Sequence, residues 1–170
     1  VGGTGWSVGA CFVDYDLDGH IDLIVSRYLD WDFDQNIYCG DRREGYRAYC
    51  HPDRFKPTSH LVYHNNGDGT FTDVSKACGI GAVPSKGLGI AINDFDRDGW
   101  PDVFINALAM QRYALFQNRK GKAFDYVSGE SGISRITQTH SGRGAKFIDY
   151  DNDGWKDLFV VLPAALLSPV

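Results

Sequence analysis

Apolar residues in this chain fall in short runs, and no helical periodicity of useful length appears anywhere in its 170 residues. Three runs are rich in β-branched and aromatic residues: "DLIVSRY" from Asp22, "DVFINA" from Asp102 and "DLFVV" from Asp157. These read as strands. Each is preceded by a run of small and apolar residues, "SVGACFV", "GLGIAIN" and "GRGAKFI". Small residues on a strand predict close approach by another backbone, as on the innermost, crowded strand of a propeller blade. Two longer blocks follow, "LVYHNNGDGTFTDVSKACGI" and "ALFQNRKGKAFDYVSGESGI", which align on Phe71 and Phe124. Each predicts strand, tight turn, strand, with Asn and Gly supplying positive φ in the turn. A unit is therefore four antiparallel strands, and the fold class is all-β, built of propeller blades.

The units repeat. Aligned copies share Gly9, Gly89 and Gly144, then Phe12, Ile92 and Phe147, then Leu23, Val103 and Leu158. We expect a single domain over 1–170, with blade 1 at 6–75, blade 2 at 87–127 and a partial blade 3 at 142–162. The first unit is longer than the second because of an insertion at 29–59. About two and a half blades make an open arc, and an arc leaves apolar faces uncovered. The missing blades are expected from the same polypeptide.

Between the first two strands of every unit lies one nine-residue pattern, D-x-D-x-D-G-x-x-D: "DYDLDGHID", "DFDRDGWPD" and "DYDNDGWKD". Four carboxylates in one loop repel one another unless a cation sits among them. A hard ion held by oxygens fits, and Ca2+ fits better than Mg2+ because it tolerates a flexible protein cage. These are not EF-hands, which need a Glu at position twelve and flanking helices. Position twelve is Val25, Ile105 or Val160. By analogy with other D-x-D-x-D-G loops, side-chain ligands are expected at positions one, three, five and nine. These are Asp14, Asp16, Asp18 and Asp22; Asp94, Asp96, Asp98 and Asp102; and Asp149, Asp151, Asp153 and Asp157. His20, Trp100 and Trp155 would give a backbone carbonyl, and Gly19, Gly99 and Gly154 would turn the chain. Up to three Ca2+ ions are expected. The alternative is a set of acidic Asx-turns with no metal.

Unit and loop together resemble the FG-GAP or VCBS repeat, the blade of integrin-α-type β-propellers. More specifically, "FVDYDLDGHIDLIVSRYLDWD", "LVYHNNGDGTFTDVSKACGI" and "FIDYDNDGWKDLFVV" are similar to the bacterial relatives of cartilage acidic protein. Their propellers are often followed by an ASPIC/UnbV domain. The resemblance implies a Ca2+-binding scaffold for protein or glycan ligands, with seven blades in the closed ring.

Composition alters this picture little. An apolar content of 43% is ordinary for a globular chain. Twelve of the 22 acidic residues lie in the three loops, so three divalent ions would bring the formal charge from −5 to +1. No basic cluster suits a phosphate backbone, so nucleic acid is not an expected partner. No run has membrane-spanning length. Cys39 and Cys50 bracket a polar stretch of the insertion and are expected to form a disulfide, which suits an extracellular or periplasmic address. His51 beside Cys50 reads as a solvated side chain and not as part of a thiol or metal centre. Cys11 and Cys78 are two thiols or a second bridge, with thiols favoured. No catalytic motif appears. The competing reading is a secreted propeller enzyme such as a polysaccharide lyase. There Tyr28, Trp31, Tyr46 and Tyr49 would stack on sugar rings and Arg42, Arg43 and Arg47 would bind uronate carboxylates.

Overall fold

The structure, a computed structural model, describes residues 5–34, 37–137 and 139–162. Its strands in chain order are β1 (Ser7–Val13), β2 (Asp22–Arg27), the short β3 (Cys39–Gly40) and β4 (Arg47–Ala48), β5 (Leu61–Asn65) and β6 (Phe71–Asp73). Then come β7 (Gly87–Asn93), β8 (Asp102–Ala107), β9 (Ala114–Asn118), β10 (Phe124–Tyr126), β11 (Gly144–Ile148) and β12 (Asp157–Val161). One four-stranded sheet has the order β1-β2-β5-β6 and another the order β7-β8-β9-β10. Every neighbouring pair in them is antiparallel. β11 and β12 form a two-stranded antiparallel sheet. We call these sheets units one, two and three. They show the repeat architecture expected from the sequence as an open stack, with no closed barrel among the described residues.

The register of the two hairpins is the same. Asn65 pairs with Phe71 in unit one, and Asn118 pairs with Phe124 in unit two. In the first turn Gly67 and Gly69 hold φ of 76° and 88°, a conformation glycine adopts without steric cost. The insertion is not plain loop. It carries the β3–β4 hairpin and a 3-10 turn at Pro52–Arg54, and the Cys39–Cys50 disulfide pins the hairpin base to that turn. Cys11 and Cys78 are free thiols, the second buried.

Unit two is sandwiched, which explains why all six residues of β8 are buried. Val103 and Ile105 face unit one and pack with Ile24, Val62 and Ile80. Phe104 faces the other way, with Tyr113, Phe147 and Leu158. Each such fully buried side chain contributes roughly 1.5–3 kcal/mol. At the ends of the stack the apolar positions meet solvent: Phe12 is 70% exposed and Phe159 is 56% exposed.

β7 lies between β1 and β11, and here the small residues matter. A Cβ on Gly89 would sit 2.6 Å from the Arg143 carbonyl oxygen and 3.1 Å from the Gly144 Cα. Both obstacles are backbone, so they cannot swing aside. Gly89→Ala will therefore cost about 1–3 kcal/mol. Urea denaturation measures this, and an unchanged midpoint would mean that the two strands part freely.

Polar joints also tie the units together. His60, fully buried, accepts the Arg27 N–H at Nδ1 (3.1 Å) and lies 2.8 Å from the Ser85 Oγ through Nε2. With Nδ1 accepting, the proton is on Nε2 and is donated to Ser85. Tyr113 occupies the matching place in unit two, and its hydroxyl donates to the His140 carbonyl at 2.9 Å. Ser85 and His140 occupy equivalent positions ahead of the first strands of units two and three. The two joints therefore share a register and differ in chemistry.

Candidate metal centres

Each acidic loop joins the first two strands of its unit. The residue after the first strand is Asp14, Asp94 or Asp149, and the ninth loop residue, Asp22, Asp102 or Asp157, opens the second strand. The first carboxylate organises the turn. Asp14 accepts the N–H groups of Asp18 and Gly19 at 3.1 and 3.0 Å, and Asp94 those of Asp98 and Gly99 at 3.1 and 2.8 Å. Asp149 accepts Gly154 at 3.1 Å. The glycines take φ of 90°, 90° and 85°, as expected. Position four is also left-handed, at Leu17, Arg97 and Asn152, which the glycine pattern alone did not reveal.

The position-five carboxylates close Asx-turns: Asp18 on the His20 N–H, Asp98 on Trp100 and Asp153 on Trp155, at 2.8, 3.0 and 2.7 Å. Trp155 also lies under the Arg97 guanidinium of the preceding loop, 3.9 Å from the ring centre, so adjacent loops touch.

The ninth carboxylate is the structural hinge. Asp22 is fully buried; one oxygen accepts Tyr15 N–H (3.1 Å) and the other Asn65 N–H (2.8 Å). Asp102 does the same with Phe95 (3.0 Å) and Asn118 (2.8 Å). One aspartate thus ties its loop to the second hairpin of its unit. Each carboxylate oxygen keeps a further lone pair for a cation.

Three groups of carboxylates have ligand atoms within 4.8 Å of one another: Asp14, Asp16 and Asp18; Asp94, Asp96 and Asp102; Asp149, Asp151 and Asp157. A fourth group is Asp16, Asp22 and His64. The structure thus brings positions one, three and nine together in loops two and three. Asp98 and Asp153 are engaged in their turns and stand outside these groups. The donors suit a hard divalent ion. Two carboxylate oxygens, Asp16 Oδ1 and Asp149 Oδ1, are buried without a hydrogen-bond partner among the described residues, and such orphaned acceptors call for a cation. Electrostatics agrees. Burial, then the Asp22 and Asp18 charges, raise the Asp16 pKa. Burial pushes Asp102 up to about 6, although the Asn118 and Phe95 N–H groups favour its ionised form. A divalent ion among these oxygens relieves that strain.

Two neighbours were not legible as site residues in the sequence. His64 Nδ1 lies 3.3 Å from Asp16 Oδ2 and 3.3 Å from Asp22 Oδ1. In unit two the matching residue, Gln117, donates a hydrogen bond to Asp96. Only the alignment of Tyr63 with Phe116 places them together, one position further along the strand.

The aromatic insertion is also partly gathered. Trp6, Tyr28, Trp31, Tyr49, Phe55 and Arg47 line one cavity of about 710 Å³. Arg43 is turned aside, stacked 4.4 Å over Tyr46 and paired with Asp41. His51 caps the 3-10 turn and is exposed.

Comparison with known proteins agrees with this geometry. Over 100 residues, 58% of the chain, it is 39% identical to Cartilage acidic protein 1 of Xenopus tropicalis. Over 102 residues it is 41% identical to Cartilage acidic protein 1 of Homo sapiens. The matched stretch spans 15% of the length of each relative. Residues 56–105 and 94–160 each match the FG-GAP-like repeat, and together they run from β5 of unit one through all of unit two to the third loop. The chain belongs to the FG-GAP-like repeat family.

Proposed function

We propose that this chain is a Ca2+-binding part of a β-propeller that serves as an extracellular or periplasmic scaffold for a protein or glycan ligand, with its other blades supplied by the same polypeptide. The observation that carries the reading is the convergence of carboxylate oxygens in all three loops, with orphaned acceptors in two of them. The ion's part is to neutralise each loop. The chain's part is to hold the oxygens: the first Asp sets the turn, the ninth fixes the loop to its sheet, and the third faces the ion. The Cys39–Cys50 disulfide and the name of the cartilage relatives support the secreted address.

Isothermal titration of calcium-depleted protein with Ca2+ tests this directly. We expect up to three ions per chain, with Mg2+ binding far more weakly. Asp96→Ala will lose the ion of loop two and leave binding at the other loops. A heat trace indistinguishable from buffer would overturn the calcium reading.

The cavity beside the disulfide favours a second reading, a propeller enzyme acting on acidic polysaccharides such as a lyase. Its aromatic rings and Arg47 are the groups that stack on sugars and pair with uronates. Incubation with pectic substrates, read by absorbance of the unsaturated product, separates enzyme from scaffold. Turnover would establish the enzyme, and its absence together with glycan retention would establish the scaffold.

A further inference from the structure

Beside loop one stands His64 where loop two has Gln117, and we propose that this difference makes loop one a transition-metal site, formed by Asp16, Asp22 and His64, that takes a borderline ion such as Zn2+ in preference to Ca2+. The inference rests on reading the loops as cation sites and concerns which ion the first one selects.

His64 extends from β5, the strand paired with β2, so both Asp22 and His64 sit on the rigid sheet of unit one. Asp22 is fully buried and held by two backbone N–H groups. Asp16 reaches the same point from the loop, and its Oδ1 is buried without a partner. The His64 Nδ1 is likewise buried, with no hydrogen bond among the described residues. It lies 3.3 Å from one oxygen of each aspartate. Two ligands on a tetrahedral ion with bonds of ~2.0–2.1 Å stand about 3.3 Å apart, so the spacing is that of ligands sharing an ion. The far side of the ring agrees. Nε2 is 3.9 Å from Asp18 Oδ2, where a small shift lets the carboxylate accept Nε2–H and hold the Nδ1 lone pair toward the metal. A carboxylate behind a ligating imidazole is the usual support of a zinc-bound histidine.

Ligand chemistry decides the ion. Ca2+ takes oxygen, whereas a neutral imidazole suits Zn2+, Co2+, Ni2+ and Cu2+. Among the described residues loop two has no such ligand: Gln117 turns its amide N–H toward Asp96, leaving an all-oxygen set. In this chain one repeat position therefore sets metal class.

Co2+ is the probe, because its visible bands report both nitrogen ligation and coordination number. Calcium-depleted full chain titrated with Co2+ will bind one equivalent with intense bands of a low-coordinate site. Zn2+ will displace it, and equimolar Ca2+ will not. His64→Gln, which installs the residue of loop two, will weaken that equivalent at least about tenfold, the lower end of what losing even an outer-shell partner costs, and will abolish the bands. Gln117→His gives an independent arm in an otherwise unchanged protein and will add a second equivalent with like bands. Pale octahedral Co2+ spectra in the unaltered chain, or equal affinity in His64→Gln, would overturn the proposal. So would displacement by equimolar Ca2+. Ca2+ titration of the same samples keeps the two readings apart. Ca2+ at loops two and three with His64-independent Co2+ binding sinks the transition-metal site alone, whereas no Ca2+ at any loop sinks the calcium reading.

Discussion

Saturating Ca2+ will raise the unfolding free energy of this protein by several kcal/mol, and Mg2+ at the same concentration will raise it far less. Without an ion, Asp94, Asp96 and Asp102 converge within 4.8 Å, and burial holds Asp102 at a pKa of about 6. The folded state then carries repulsion that the unfolded chain escapes. An ion that binds only the folded state adds about 2.7 kcal/mol per site at a free concentration 100 times its dissociation constant. Mg2+ demands near-ideal octahedral geometry and sheds its waters reluctantly, which these loops, bound up in Asx-turns, do not accommodate. Urea denaturation in chelator, in excess Ca2+ and in excess Mg2+ reads the effect. Superimposable curves in chelator and Ca2+ would show that the aspartates are turn formers and nothing more.

The second large effect belongs to His60. Its ring is completely buried between units one and two, and burial first, then the Arg27 charge, pushes its pKa down from 6.5 to about 4. Its unfolded counterpart takes up a proton as the pH falls through 6.5, whereas the folded ring waits until about 4. The unfolded state therefore binds more protons in that window, and stability rises with pH across it. The neutral ring's contribution is complete above 6.5 and lost as the pH falls toward 4. The gap in pKa corresponds to about 3 kcal/mol. His60→Gln does not titrate. At pH 7 it will be less stable than the natural chain, because two buried hydrogen bonds are disturbed. By pH 4 the difference between the two will have narrowed by about 3 kcal/mol. Denaturation of both proteins at both pH values, in chelator, isolates this group from the carboxylates. A constant difference would mean that the ring is not the acid-sensitive part of the joint.

Much of the architecture was legible because the signals were redundant. The strand after each acidic loop, the Gly-rich strand before it and the Asn-Gly turn each pointed to the same hairpin pairs, and Phe71 and Phe124 align in both sequence and register. The Cys39–Cys50 bridge was legible from its bracketing of a polar stretch. What stayed hidden depended on three dimensions. The ninth aspartate looked like one more ligand, and only folding shows that Asp22 and Asp102 each grip backbone groups on two sides. His64 counted as one of five scattered histidines until strand pairing carried it 42 residues back to Asp22. Asp98 and Asp153 carried the same letter as their neighbours, yet their oxygens close local turns. The insertion read as loop because two-residue strands leave no periodic trace.

The joints between units have an engineering corollary. His60 with Ser85 and Tyr113 with the His140 carbonyl fill one architectural slot with unrelated chemistry. Each couple therefore bridges a repeat boundary, with one partner in each copy. A chimera cut at a repeat boundary separates such a couple even when every copy in it is intact. Cassettes for splicing these propellers should accordingly run from the middle of one sheet to the middle of the next, so that each joint travels whole.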